Sequence, residues 1–221
     1  MLYVVPTPIG NLKDITFRAI EVLQLVEIIL CEDTRTSSKL LQHYQINKIL
    51  WAFHQHNEHK MLAKVLDKLI NNIPIAIITD AGTPGISDPA FLLVRACIEN
   101  NIQVQTLPGA TAFVPALINS GLPANQFIFV GFLPLKKGRQ TLLKSLSVEN
   151  KTIILYESPM RLLKTLNELV TYFGKNRKAS ISREISKIYE ENIQGSLEKI
   201  ITHFSLKPIK GEIVIVIEGV Q

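Results

Sequence analysis

Short apolar runs alternate with amphipathic segments along the first 120 residues. LYVV near the start is ended by Pro6, Pro8 and Gly10 and reads as a buried strand running into a loop. TFRAIEVLQLVEIIL begins with helical spacing and ends as a second strand, IILCE, that opens onto Asp33. Thr36 to Tyr44 is predicted as a helix with Leu40 and Leu41 inward, and ILWAF as a third strand. From His56 to Asn72, the residues Met61, Val65, Leu66, Leu69 and Ile70 share one helical face. PIAIIT is a fourth strand, followed by the loop DAGTPGISDP (80–89) and the helix FLLVRACIE. IQVQTL is a fifth strand ending at Pro108-Gly109, and ATAFVPALIN is a small-residue helix that stops near Gly121.

Strand and helix in strict alternation predict a mostly parallel, doubly wound sheet with helices on both faces. SGLPAN (120–125) reads as a linker. Beyond it FIFVGF, TIILYE, KASISRE, KIYEENI and GEIVIVIEG are predicted strands, and TLLKSL, MRLLKTLNELVTYF and a segment near Ser196 to His203 are predicted helices. The expectation is therefore an α/β protein of two α/β domains: 1–120 with the parallel sheet, and 121–221 with a smaller mixed sheet.

The chain has 221 residues, of which 47% are hydrophobic and 19% charged, which supports a buried core and excludes a disordered chain. No apolar run reaches the ~18 residues of a membrane-spanning helix, and MLYVVPTPIGN has no basic n-region and no small-residue cleavage site, so a signal peptide is not expected. Cys31 and Cys97 both sit inside apolar runs, so buried free thiols and a cytoplasmic location are expected. The net charge of +5 favours polyanionic partners without identifying one.

Loops with polar residues follow most of the predicted strands: PTPIGN (6–11), EDTR (32–35), DAGTPGISDP (80–89), PGATA (108–112), GFLPLKKGR (131–139), YESPMR (156–161) and SREISK (182–187). In a doubly wound fold such ends share one side of the sheet, where ligands bind. Neither G-x-G-x-x-G nor a P-loop is present. Asp33 and Arg35, two apart, suit a turn or helix-cap pair and equally a polar wall of a cleft. Lys136, Lys137 and Arg139 form a basic loop that suits either solubility or phosphate. Arg161 and Arg183 follow strand ends, and each has an acidic neighbour, Glu157 or Glu184, as an alternative partner. His54, His56 and His59 lack a carboxylate or thiol at metal-ligand spacing, so no metal is expected and a cleft or interface role is preferred.

Taken in order, TPIGNLKDITFRAIEVL, CEDTR, FHQHNEHK, DAGTPGISDP, PGATA, GFLPLKKGR, YESPMR, SREISKIYEE and KGEIVIVIEG resemble the tetrapyrrole-methylase-like (class III) S-adenosylmethionine methyltransferases. More narrowly they resemble the bacterial small-subunit (16S) ribosomal RNA ribose 2′-O-methyltransferase I subfamily. PTPIGN and DAGTP stand where tetrapyrrole methylases carry GPGD-like and GDP-type loops. The resemblance implies a homodimer, with S-adenosyl-L-methionine in an active cleft between the domains and a cytidine ribose of 16S rRNA in the small ribosomal subunit as substrate. By position, Ile9, Asp80, Ala81, Thr83, Thr111 and Ala112 would line the donor pocket, joined by Glu157, Glu184 and Gly211 from the second domain. The EDTR loop would face the acceptor, which makes Asp33 and Glu32 the candidate bases. Arg35, Lys136, Lys137, Arg139, Arg161 and Lys187 would hold RNA. Two departures stand out: Ala90 replaces a more usual glycine, and the chain stops soon after GEIVIVIEG where many relatives continue. The competing readings are a porphyrin or corrin C-methyltransferase, and a non-catalytic RNA-binding assembly factor on the same fold.

Overall fold

A computed structural model of the chain describes residues 1–206 and 208–220. The chain forms two compact units, Met1–Thr111 and Ala112–Gln221. In the first unit the apolar runs become β1 (Leu2–Val4), β2 (Ile28–Cys31), β3 (Ile49–Ala52), β4 (Ile75–Ile77) and β5 (Val104–Thr106). They lie in the order β3-β2-β4-β1-β5, all parallel. Every residue of β2 and β4 is buried, which is why these strands read as unbroken apolar runs rather than alternating ones.

Four helices cover this sheet: α1 (Phe17–Leu25), α2 (Thr34–His43), α3 (Glu58–Ile70) and α4 (Phe91–Glu99). Thr16 and Asp33 start α1 and α2 by accepting the backbone N–H groups of Ala19 and Arg35. Ala19, Leu23 and Leu41 of α1 and α2 pack with Ile29, Cys31, Ala76 and Ile78. Val65, Leu69, Leu93 and Cys97 of α3 and α4 pack with Leu2, Val4, Leu30, Ile75 and Ile77. The strands thus alternate their side chains between two cores. β1 and β4 are neighbours, yet the helices that follow them lie on opposite faces, which makes their carboxyl ends the topological switch point of the sheet.

The second unit contains α5 (Phe113–Ser120), β6 (Phe127–Phe132), α6 (Arg139–Leu146), β7 (Thr152–Glu157), α7 (Leu162–Phe173), β8 (Lys178–Arg183), β9 (Glu191–Ser196), α8 (Leu197–Phe204) and β10 (Ile213–Ile217). Its sheet runs β6-β7-β10-β8-β9; β6 and β7 are parallel, and the remaining pairs are antiparallel. Leu143, Leu162, Leu166, Leu169, Leu197, Ile200 and Phe204 of α6, α7 and α8 form one core with Ile153, Leu155, Ile181 and Ile215.

Two expectations from sequence differ from this arrangement. The expected division at 120/121 falls instead at 111/112, because α5 packs against β8 and β10 of the second sheet and buries Ala116, Leu117 and Ser120. The strand expected at KIYEENI starts only at Glu191, because Glu184 and Ser186 take left-handed backbone conformations (φ 54° and 65°) that turn the chain before it can pair. No helix among the described residues is long and apolar enough to cross a membrane. Both cysteines are free and buried; burial pushes the Cys31 thiol up and the Cys97 thiol to about 11.

Candidate functional site

Three loops after β1, β4 and β5 are fastened to one another at the switch point. The Thr7 N–H donates to the Gly82 carbonyl at 2.9 Å, and the Gly82 N–H returns to the Thr7 carbonyl at 3.0 Å. The Thr7 hydroxyl donates to the Thr79 carbonyl at 3.0 Å, and the Thr83 hydroxyl donates to the Ala110 carbonyl at 2.9 Å. Glycine is required at two of these junctions. A Cβ on Gly109 would lie 2.6 Å from Cβ of Pro6. Gly82 has φ +82°, and a Cβ there would touch Ile9. PTPIGN, DAGTP and PGATA therefore build a single rigid wall, with Ile9, Ala81, Thr83 and Thr111 half-buried along it.

Carboxylates gather beside that wall at the ends of β2 and β4. The backbone N–H of Asp33 donates to Oδ1 of Asp80 at 3.2 Å. Asp33 itself is committed: Oδ1 accepts the Arg35 backbone N–H at 2.8 Å, and Oδ2 accepts the Arg35 guanidinium at 2.7 Å. The Arg35 guanidinium and backbone hold the Asp33 carboxyl down at about 2. Glu32 moves the other way: burial raises it first, then the charge of Asp80, with His54 opposing and Asp33 adding. Asp80 is also raised, by burial first and by Asp33, against the hydrogen bond from the Asp33 amide. Glu32 and Asp33, adjacent in sequence, are thus driven apart, with Glu32 holding its proton the more tightly of the two. His54 reaches the same edge from β3, with its Nδ1 buried and without a hydrogen-bond partner among the described residues. Sequence reasoning flagged His54 only within a histidine cluster.

The residues expected from the second unit fall into three groups. Glu157, expected on the donor, is 3% exposed. One of its oxygens accepts the Ser158 N–H at 2.7 Å and meets Arg161 at 2.8 Å; the other accepts the Thr165 hydroxyl. Its carboxylate is an internal anchor that ties the end of β7 to the start of α7. Arg139, expected on RNA, is 5% exposed. It donates to Glu168 at 2.8 Å, to the Pro134 carbonyl at 3.1 Å and to Thr165 at 2.7 Å, so it pins the basic loop from beneath. Arg161 is likewise occupied, by Glu157.

Glu184, Gly211 and Lys187 come together in the second group. Glu184 accepts the Glu212 N–H at 2.9 Å and the Lys187 ammonium at 2.8 Å, and Lys187 also meets Glu212 at 2.9 Å. Burial would raise Glu184, but Lys187 and the Glu212 amide hold it below its usual value. Burial likewise opposes the charge on Lys187, which its two carboxylates raise. Gly211 (φ +90°) lies so close to Glu184 that a side chain would collide with it. Lys136 and Lys137 make up the third group. They are exposed, and among the described residues neither has an acidic partner within ion-pair distance. Thr111 closes the first unit, and Ala112 is the N-cap of α5.

This geometry coincides with a family match. The model of the Tetrapyrrole (Corrin/Porphyrin) Methylases matches residues 1–201. Ribosomal RNA small subunit methyltransferase I from Synechocystis sp. is 50% identical over 220 residues, covering 99% of this chain and 79% of that protein. Its namesake from Thermotoga maritima is 44% identical over 218 residues, covering 99% and 98%. Uroporphyrin-III-C-methyltransferase from Thermus thermophilus superposes with a TM-score of 0.68 at 16% identity, covering 97% of this chain and 93% of that one, a likeness of fold alone. The chain belongs to the tetrapyrrole (corrin/porphyrin) methylase family and, within it, to the small-subunit ribosomal RNA methyltransferases I.

Proposed function

We propose that the chain transfers a methyl group from S-adenosyl-L-methionine to the ribose 2′-hydroxyl of a cytidine in 16S rRNA of the small ribosomal subunit, working in the cytoplasm as a homodimer. The observation that carries this reading is the wall of three interlocked loops at the switch point. Gly82 and Gly109 let its loops pack directly on one another, and an acidic edge adjoins it.

The residues present fit the donor. Ile9 and Ala81 offer apolar contact; Thr83 and Thr111 offer hydroxyls. Asp80, with one oxygen engaged by the Asp33 amide, keeps another for a hydroxyl or ammonium. When bound, the donor supplies an electrophilic methyl on a positively charged sulfonium. The interlocked loops would hold the donor rigidly, and in-line alignment of its methyl with the acceptor oxygen would lower the barrier. Glu32, raised by burial and by Asp80, accepts the proton of the ribose hydroxyl as the oxygen attacks. Asp33 caps α2 and holds the 86% exposed Arg35 at the surface, where a phosphate can compete for its guanidinium. Lys136 and Lys137 attract the RNA backbone, while Arg139 and Glu157 keep their loop and strand end in place.

The names of the sequence relatives favour RNA over a tetrapyrrole as acceptor. The test offers methyl-labelled donor to unmodified small subunits and, in parallel, to a free porphyrin. Label on the subunits alone is expected; label on the porphyrin, or on neither, contradicts the proposal.

A further inference from the structure

A second site lies wholly within the second unit. β10 pairs antiparallel with β7 and β8, and Ile213 faces both Glu157 and Arg183. The carboxyl end of β8 and the segment leading into β10 therefore meet at one end of the sheet. Between them is a pocket of about 280 Å³ lined by Arg183, Tyr189, Phe204, Pro208, Ile209 and Lys210. We infer that this pocket binds one unpaired nucleotide of the RNA substrate, its base against Tyr189 and its phosphate on Lys210, an inference that rests on the proposed rRNA activity.

The pocket is held open by a single side chain. Arg183 donates from Nη1 to the Lys210 carbonyl and from Nη2 to the Tyr189 carbonyl, both at 3.1 Å, so one guanidinium fixes both walls. Its Nε donates to Glu191 at 2.9 Å, and Glu191 also meets His203 at 2.9 Å. With its donors committed in this way, Arg183 positions the two walls and leaves the phosphate to Lys210. Behind Tyr189, the chain is set by the left-handed residues Glu184 and Ser186 and by the Lys187 ion pairs. Left-handed non-glycine backbone carries strain and is concentrated at ligand clamps.

The lining selects the ligand class. Phe204 is buried and forms an apolar floor, whereas Tyr189 is 73% exposed, a poor use of an aromatic ring unless something stacks on it. Lys210 is exposed, and among the described residues it has no acidic partner within ion-pair distance. An aromatic face beside an unneutralised ammonium matches a base and its phosphate. The volume is at the lower limit of small-ligand pockets, which suits one nucleotide and excludes a base pair. Exposed Lys136 and Lys137 follow β6, whose carboxyl end lies at the same end of the sheet, with β7 and β10 between it and β8.

The test titrates the full chain into a single-stranded RNA oligonucleotide carrying 2-aminopurine, whose fluorescence is quenched on stacking. Wild type is expected to quench. Tyr189→Ala should lose the quenching and bind about 5- to 150-fold more weakly, and Tyr189→Phe should retain both. Lys210→Ala should keep the quenching but reduce the slope of log affinity against log salt by about 0.7. If Tyr189→Ala and Lys210→Ala bind and quench like a wild type that methylates small subunits, the pocket inference alone is overturned. A wild type that neither binds RNA nor methylates subunits overturns both readings. If Tyr189→Ala alters self-association by sedimentation but not RNA affinity, the pocket is an interface between copies and the inference is again overturned.

Discussion

Arg139 and Lys136 lie three residues apart in one basic loop, yet the structure gives them opposite work, and Arg139→Met against Lys136→Ala/Lys137→Ala separates the two. Methionine keeps most of the aliphatic volume of Arg139 and removes its three donor contacts, to Glu168, Pro134 and Thr165. Breaking a buried ion pair costs about 3–5 kcal/mol. Glu157, 4.0 Å from the Arg139 guanidinium, keeps Arg161 and the Ser158 amide when Arg139 is removed, so the loss falls at the lower end, about 3 kcal/mol. In urea this lowers the unfolding midpoint by about 1–3 M. The double lysine variant leaves that midpoint unchanged, because both side chains are exposed. RNA affinity measured across a salt series gives the reverse pattern. Losing two phosphate contacts reduces the log–log slope by about 1.4–1.8, whereas Arg139→Met, assayed where it is folded, keeps the wild-type slope. A reduced slope in Arg139→Met together with an unchanged slope in the lysine variant would refute this assignment.

Three further outcomes follow from the first unit. Glu32→Gln should bind the donor normally but lose methyl transfer. In wild type, the rate should rise with pH through the raised Glu32 pKa and then level off, because the base must be deprotonated; a wild-type profile flat over that limb removes Glu32 from the mechanism. Gly109→Ala pushes a methyl against the ring of Pro6, which overpacking puts at about 1–3 kcal/mol; calorimetry should show weakened S-adenosyl-L-methionine binding, and wild-type affinity would mean the three-loop wall is not the donor site. The Asp33 carboxyl should titrate near 2 by NMR and move up toward 3.8 in Arg35→Ala; its stabilising interaction is therefore present above the ordinary carboxylate pKa and fades only as pH falls toward 2.

The parallel sheet was legible because its strands are buried on both faces: IILC and IAI carry no polar residue to obscure the pattern. The donor wall was legible as a set of loops, since Pro and Gly punctuate the ends of β1, β4 and β5, but the bonds joining Thr7 to Gly82 and Thr83 to Ala110 span distant positions and leave no local trace. The same distance hid the fate of the basic residues. Arg139 looks like Lys137 in sequence; what buries it is Glu168, 29 residues on. α5 was assigned to the first unit by chain order, whereas its buried face of Ala116, Leu117 and Ser120 packs on the second sheet. The role of Tyr189 was not legible because its pocket neighbours Phe204, Pro208, Ile209 and Lys210 lie beyond β9, at the end of α8 and after it.

The most direct test of the central claim uses the chemistry of the product. A methyl on the 2′-oxygen removes the nucleophile that cleaves the adjacent phosphodiester in alkali. Unmodified small subunits are incubated with the chain and methyl-labelled S-adenosyl-L-methionine, and the 16S rRNA is then hydrolysed in alkali. Label is expected in an alkali-stable dinucleotide whose first residue is cytidine; label in alkali-labile mononucleotides, which would place the methyl on a base, or no incorporation at all, would contradict the proposed activity.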